Sequence, residues 1–453
     1  MSFIKNREDL ICHGNEKLRR AAIEIIEYAL SQSDPYQATL NILRLSGDRL
    51  VVGDHEYNLR SHSRIFVVGG GKATYPIARA LEEVLEARIN DGVIVCKYGQ
   101  QAPLKHMRVF NASHPIPDQA GHNAAVACMN LVKNTGPGDI IFACFTGGSS
   151  ALLPLPVDEI TLEDKIEVNR LLLSCGANIY EINSVRKHLS KIKGGNLARQ
   201  IAPGANLINL TVSDVQGDEL DYITDLTVPD SSTFEDARRS IDKYHLWGLL
   251  PKRVSSYLRQ TRLGQETAKA EDLQHLRTHN FILLKSDVAT RAALKRAEMI
   301  GFNSIILSTV LEGESRELGI TYGCIGREIR KSGCPVKCPG AVIGGGETTV
   351  KLGGKHGRGG PNQEFVLGAA SEIRGMQDIL VVGLDTDGTD GPSDLAGGFA
   401  DGDTVEEAEK ISISLYEELS KQNTSEVLEK TGNCILTGPT GTNVNDLKFM
   451  LVG

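Results

Sequence analysis

Between Leu18 and Ala29 the apolar side chains recur at three- and four-residue steps (Leu18, Ala22, Ile25, Ile26, Ala29), and Pro35 follows. This spacing predicts an amphipathic helix with its stop signal, resting on a sheet. From Arg64 the pattern changes: Ile65-Phe66-Val67-Val68 runs without polar interruption, glycines follow, and helical spacing from about Lys72 to Glu86 leads into a second apolar run at Gly92-Val93-Ile94-Val95. A helix near 121–133 and a strand at 139–144 extend this βαβ pattern. Continuous apolar strands of this kind predict a parallel sheet covered on both faces. Helices dominate 162–197, ahead of a strand at 207–212.

Val228-Pro229-Asp230, with Ser-Ser-Thr after it, reads as a linker running into a helix start, so the expected domains are 1–240 and 241–453. Residues 255–279 are polar and expected to be exposed. Strands at 281–284, 304–307, 341–344, 347–352, 379–384 and 448–452 then alternate with helices at 287–298 and 314–331. The fold class is therefore α/β, with two three-layer domains built on parallel or mixed sheets. The length of 453 residues agrees with two domains.

Composition narrows the function classes. A formal charge of -8 argues against a general nucleic-acid binder, whose affinity depends on a net basic surface. No stretch of about 20 apolar residues is present to span a bilayer, and the first ten residues lack an apolar core, so a cytoplasmic protein is expected. The nine cysteines are scattered. Cys334 and Cys338 have no matching second Cys/His pair, which disfavours structural zinc and leaves reduced thiols as the expectation.

The candidate chemistry sits in glycine-rich turns. Gly69-Gly70-Gly71-Lys72 closes a strand and opens a helix, where backbone amides and the helix dipole attract phosphate and the lysine adds a mobile charge. Thr74 occupies the third glycine position of a dinucleotide fingerprint, and Phe66 and Ala73 break the P-loop pattern. A plain tight turn remains the alternative. Gly147-Gly148-Ser149-Ser150 repeats the device after the strand ending at Cys144. Both turns would lie at the carboxyl ends of parallel strands, where open α/β sheets bind ligands.

Asn183 to Gly195 gathers Arg186, Lys187, His188, Lys191 and Lys193. It reads as a solvated basic helix or as an anion-capture segment on which Arg186 and Lys193, seven apart, share a face. Asp214 and Asp218 follow a strand and suit either turn capping or Mg²⁺ binding. In the second half, Glu347 and Thr348 follow three glycines, Arg358 stands among glycines ahead of Asn362 and Gln363, and Asp387 and Thr389 lie in Asp385-Thr386-Asp387-Gly388-Thr389-Asp390-Gly391. The last of these lacks the twelfth-position glutamate of a calcium loop, because Ala396 stands there. Asn443 belongs to a final hydroxyl- and amide-rich turn. Arg358 is the most suggestive, since a guanidinium binds carboxylate or phosphate bidentately.

Taken together, VVGGGKA at 67–73, HPIPD at 114–118, VRKHLSKIKGG at 185–195, GRGGPNQE at 357–364, DTDGTDGP at 385–392 and GPTGTNVND at 438–446 resemble the class II glycerate kinase family, whose C-terminal half is the MOFRL domain. The resemblance covers nearly the whole chain. It implies Rossmann-like domains with an active-site cleft between them and phosphoryl transfer from ATP, with Mg²⁺, to the 2-hydroxyl of D-glycerate. It also implies that Lys72 and Arg358 are the active-site cations. On this reading Asp214 and Asp387 join them as catalytic groups, Asp214, Asp218 and Asp387 hold the metal, and the protein works as a monomer or homodimer. The chain departs from the family at Thr224-Asp225-Leu226-Thr227, where Ser-Gly-Pro-Thr is usual, and at Pro361, where a basic residue is common. A kinase of four-carbon sugar acids, a nicotinamide-dependent hydroxypyruvate reductase and a non-catalytic nucleotide binder are the competing expectations.

Overall fold

The computed structural model describes residues 2–59, 63–99, 102–260, 265–352, 354 and 356–453. The chain forms two compact units, one of Pro35–Leu284 and one that joins Met1–Asp34 to Lys285–Gly453.

In the first unit, β1 (Leu43–Ser46), β2 (Arg49–Val52) and β3 (His55–Asn58) make a small antiparallel sheet. The large sheet holds β4 (Ile65–Gly70), β5 (Ile89–Lys97), β6 (Arg108–Ala112), β7 (Ile140–Phe145), β8 (Asn206–Val212) and β9 (Arg277–Leu284). Its order is β6-β5-β4-β7-β8-β9, and every neighbouring pair is parallel. Counted from its own first strand this is 3-2-1-4-5-6, the doubly wound order in which nucleotides bind where the winding reverses. The reversal falls between β4 and β7. Both strands are buried at every position, as their unbroken apolar runs require. The helix Gln119–Lys133 packs its Ala124, Cys128 and Val132 on the face that carries Phe66, Val68 and Val95. Four further helices, Leu162–Ser174, Ile179–His188, Phe234–Lys243 and Lys252–Arg259, enclose a separate apolar cluster around Val168, Val185, Ile241 and Leu258.

The second sheet contains β10 (Asn303–Leu311), β11 (Gly340–Gly346), β12 (Ile379–Asp385), β13 (Gly397–Asp401), β14 (Cys434–Ile435) and β15 (Asp446–Val452), in the order β10-β11-β15-β12-β13-β14. Only β10 and β11 run parallel, so this sheet is mixed. Helices Ser315–Ser332 and Pro361–Glu372 contribute Tyr322, Ile329, Phe365 and Val366 to its core. Helix Glu16–Gln32 packs against helix Val288–Met299 and against β12 and β15.

The units divide elsewhere than the expected 240/241 boundary. Arg277–Leu284 pairs with β8 and completes the first sheet instead of opening a second one, and the N-terminal helix belongs with the C-terminal residues. The Pro229 segment, which resembles a linker in composition, is held within the first unit by Asp230, whose backbone N–H donates to Ala268 O at 2.9 Å. The expected strand at 347–352 does not form. Gly346 ends β11 at φ +129°, opposite the end residues Leu311 of β10 and Asp446 of β15, and only an isolated Thr349–Glu314 bridge follows.

Arg19 ties the N-terminal segment into the second unit. Fully buried, it donates to Asp401 Oδ2 from Nε (2.9 Å) and Nη2 (2.6 Å), to Asn433 Oδ1 (2.7 Å) and to Leu10 O (2.9 Å). Arg19→Met leaves Asp401 buried without its counterion, so denaturant titration should show a loss of about 3–5 kcal/mol. A loss under ~1 kcal/mol would show that the pair is dispensable.

Candidate functional site

The turns after β4 and β7 are laced together at the point where the winding reverses. Lys72 N–H donates to Gly147 O (2.9 Å), Gly71 N–H to Val95 O (3.2 Å), Ala73 N–H to Thr146 Oγ1 (3.1 Å) and Thr146 N–H to Gly70 O (3.1 Å). Thr74 Oγ1 donates to Cys144 O at 2.8 Å. The approach demands glycine: a Cβ on Gly71, at φ +144°, would stand 2.1 Å from Thr146 Oγ1, and one on Gly69 would stand 2.5 Å from Cys144 O. The amides of Gly71, Lys72 and Ala73 are already engaged, so this turn offers its lysine side chain and not its backbone.

The second turn is the open one. Among the described residues the amides of Gly147 and Gly148 donate to no other group, Gly148 lies at φ +89°, and a short helix starts at Ser149 with Ser150 half-buried beside it. A Cβ at Gly148 would sit 3.3 Å from Lys72 Cγ and 3.3 Å from His114 Cδ2. Lys72, Gly148 and His114 therefore meet at one spot. His114 was legible only as part of the His114–Asp118 segment; no spacing rule pointed to it.

The basic segment is not a solvated helix. Helix Ile179–His188 ends before Lys193, so Arg186 and Lys193 do not share a helical face, yet Lys187 and Lys193 are both buried. Lys193 Nζ pairs with Asp225 (3.0 Å), and Lys187 pairs with Asp221 and with Asp230 (3.1 Å). Arg186 donates to Asn169, and Asn183 lies half-buried on the same helix. Burial lowers Arg186 to about 10 against the opposing pull of Asp225, and it also lowers Lys193. For Lys187 burial is outweighed by Asp230, Asp225 and Asp221, which raise it. Lys165, from helix Leu162–Ser174, joins this group with Nζ fully buried and no hydrogen-bond partner among the described residues. Burial, then Lys193, pulls it down to about 7. The signal for Lys165 was its place at i, i+3, i+7 with Val168 and Leu172 on the buried stripe of its helix. Asp225, the departure from the family pattern, is the counterion of this cluster.

Asp214 and Asp218 follow β8 on a loop that includes Gly217 at φ +81° and Asp218 at φ +55°. Ser213 anchors its start through N–H to Leu284 O (2.9 Å). Among the described residues no three His, Cys, Asp or Glu side chains gather as a metal site.

In the second unit, the loop at 357–360 is pinned to the helix Thr424–Lys430: Ser425 N–H donates to Arg358 O (3.0 Å) and Arg358 N–H to Asn423 Oδ1 (3.3 Å). The Arg358 guanidinium, 48 % exposed, pairs with Glu429. An exposed pair of this kind is worth ~0–1 kcal/mol, so the guanidinium can turn to an anionic ligand at little cost. Asn362 and Gln363, in contrast, serve the fold. Asp390 accepts from Asn362 N–H (3.0 Å), Asn362 Nδ2 (3.1 Å) and Gln363 N–H (3.0 Å), capping helix Pro361–Glu372, while Gln363 Nε2 donates to Ser393 Oγ (3.0 Å) and Ser425 Oγ donates to Gln363 Oε1 (2.6 Å). Burial and nearby Asp446 push Asp390 up to about 6.

The loops at 385–391 and 438–446 are joined as the first pair is. A Cβ on Gly388, at φ +94°, would stand 2.0 Å from Gly438 O, Thr440 N–H donates to Asp387 O (3.2 Å), and Thr386 Oγ1 donates to Asn445 O (2.7 Å). Asp387 Oδ1 accepts from Thr389 N–H (2.8 Å) and Oγ1 (2.7 Å), and Asn443 is buried nearby in the chain from Asn445. Glu347 is exposed, whereas Thr348 is buried with its Oγ1 2.6 Å from Ser315 Oγ. The glycines before them admit their neighbours: a Cβ at Gly345 would meet Thr290 Oγ1 at 2.1 Å.

Comparison with known proteins covers both halves. Residues 21–259 match the model described as a domain of unknown function (DUF4147), and 340–446 match the MOFRL family. The chain is 40% identical over 438 residues to "Glycerate 2-kinase" of Pyrococcus horikoshii, covering 96% of this chain and 97% of the relative. It is 36% identical to "D-glycerate 2-kinase" of Thermotoga maritima, covering 96% and 99%. A relative from Agrobacterium vitis, 36% identical over 96% and 94%, carries the provisional name of a hydroxypyruvate reductase. The crystal structure of glycerate kinase from Thermotoga maritima superposes with a TM-score of 0.80 at 35% identity, covering 97% of this chain and 100% of that one.

The buried Lys165 gives a pH prediction. Its folded pKa of about 7 lies below its unfolded value of ~10.4, so the unfolded chain binds the extra proton between those limits and the Lys165 penalty is largest below pH 7, fading as pH rises towards 10. Lys165→Met should therefore raise the melting temperature at pH 6 and leave it nearly unchanged near pH 10. A variant that loses stability at pH 6 would contradict this.

Proposed function

The chain belongs to the MOFRL-type glycerate kinase family, and from that premise we propose that it transfers the γ-phosphoryl group of ATP to the 2-hydroxyl of D-glycerate. The single observation that carries this reading is the meeting of Lys72, Gly148 and His114 where the winding of the parallel sheet reverses, beside amides that donate to nothing else in the described protein. Phosphoryl transfer asks a protein for in-line positioning and for neutralisation of charge on the transferred group. Lys72 supplies a mobile cation, and Gly147 and Gly148 supply fixed N–H donors for an anionic oxygen. Arg358 supplies a forked donor that binds carboxylate or phosphate bidentately. Mg²⁺ would neutralise phosphate oxygens, and it is usually held by one or two carboxylates together with the phosphates themselves. Asp214, with Asp218, and Asp387 are the carboxylates suited to that task or to orienting the acceptor hydroxyl. Of these, Asp387 has its Oδ1 fixed by Thr389.

The reductase reading is disfavoured by the same turn. A dinucleotide site uses the third glycine of its fingerprint for close helix packing and an acidic residue after the second strand for the ribose. Here Thr74 stands in place of that third glycine with its hydroxyl committed to Cys144 O (2.8 Å), and β5 ends in Lys97.

Two measurements test the proposal. Lys72→Ala and Arg358→Ala should each lower the rate of ADP release with D-glycerate at least ~100-fold, as expected when an electrostatic clamp is removed; wild-type rates in both variants would defeat the assignment. Hydroxypyruvate with NADH should give no loss of nicotinamide absorbance, and steady consumption would favour the reductase.

A further inference from the structure

A cavity of about 210 Å³ lies against the glycine loop of Arg358, walled by Val350, Leu352, Pro361 and Pro392 together with Gly359 and Gly360. Drug-sized ligands occupy ~300–1,000 Å³, so this space suits one flat ring system and not a whole nucleotide. Its walls are apolar, and the two glycines let a planar ring approach the backbone closely. Leu352 is 59% exposed at this site, an apolar side chain left open to solvent. Of the polar side chains that line the cavity, His356, Gln422 and Glu364, only Glu364 is buried. Glu364 is 1% exposed, and its Oε2 accepts from Arg316 Nε (3.0 Å) and Nη2 (2.9 Å). Its Oε1, also buried, has no hydrogen-bond partner among the described residues. A buried acceptor of this kind calls for a donor from a ligand.

We propose that this cavity is the base-recognition pocket for a 6-aminopurine nucleotide, with Glu364 Oε1 accepting from the exocyclic amine. The assignment rests on the kinase reading above and adds which part of the chain selects the nucleotide. The hydroxy acid does not suit the cavity, because its carboxylate would meet the carboxylate of Glu364 between apolar walls. A 6-oxopurine presents lone pairs where the 6-aminopurine presents a donor, so Glu364 discriminates between the two. Arg358 stands in the loop that borders the cavity, as a cation available to the phosphates that extend from a seated base.

The test compares ATP with ITP, in binding by calorimetry and in turnover by ADP or IDP release, for the wild type, Glu364→Gln and Leu352→Ala. The wild type should prefer ATP at least ~10-fold, since a site built around a hydrogen bond rejects an analogue lacking it. In Glu364→Gln, Arg316 keeps the amide oxygen and the amide nitrogen faces the ring, so the preference should shift at least ~10-fold towards ITP with the KM for hydroxy acid unmoved. Leu352→Ala, at an exposed position that folding does not need, should raise the KM for ATP several-fold. Equal use of ATP and ITP by the wild type overturns the proposal, as does a Glu364→Gln variant that weakens both nucleotides alike. If Glu364→Gln does not fold, the wild-type ratio and Leu352→Ala still decide. Base preference in binding without any turnover supports the pocket while defeating the kinase reading; turnover without base preference does the reverse.

Discussion

The contact between the glycine turn after β4 and Thr146 is the constraint on which the first unit's site depends. Gly69 and Gly71 leave no room for a Cβ against Cys144 O and Thr146 Oγ1, and the buried Thr146 hydroxyl accepts the Ala73 amide. The hydrogen bonds consumed there explain a division of labour. The first turn is a rigid pedestal that lifts one lysine, and the second turn, whose Gly147 and Gly148 amides donate to nothing else among the described residues, offers backbone donors. The sheet winds outward in both directions from β4 and β7, and such a reversal is where open α/β sheets leave a crevice for ligands.

The second unit repeats the device with different chemistry. Gly388 packs on Gly438 O as Gly71 packs on Thr146, and Asp390 takes the role of hydrogen-bond sink by gathering three donors from Asn362 and Gln363. Buried charge is handled in pairs: Lys448 with Asp446 (2.5 Å), Arg19 with Asp401 and Lys193 with Asp225. Such pairs add little net stability over apolar packing, but removal of one partner is costly. Lys165 is the exception, a buried ammonium beside other cations with no direct partner among the described residues.

Much of the fold could be read from periodicity. The strands at 65–70, 140–145 and 379–384 are continuous apolar runs, and a run of that kind has one comfortable place, inside a sheet covered on both faces. What periodicity missed has physical causes. β1 to β3 and β6 are half-exposed and carry weak patterns, β9 has a polar first half that resembles a linker, and the composition of the Pro229 segment conceals its buried Asp230. The glycine loops that present Lys72 and Arg358 were legible because their signal is local in the sequence. Residues were misread where tertiary partners decide: Asn362 and Gln363 look like ligand groups and are committed to Asp390, and Lys193 looks exposed and is buried on Asp225. Asp225 itself, read first as a departure from the family pattern, gains its meaning only beside Lys193, Arg186 and Lys165.

The central claim is that this scaffold performs phosphoryl transfer to the 2-hydroxyl of a three-carbon acid. Phosphorus NMR of the product formed from D-glycerate and ATP tests it most directly. The account predicts a phosphorus nucleus coupled to the single proton on C2. A signal coupled to the two protons of C3, or no phosphorylated product at all, would contradict it.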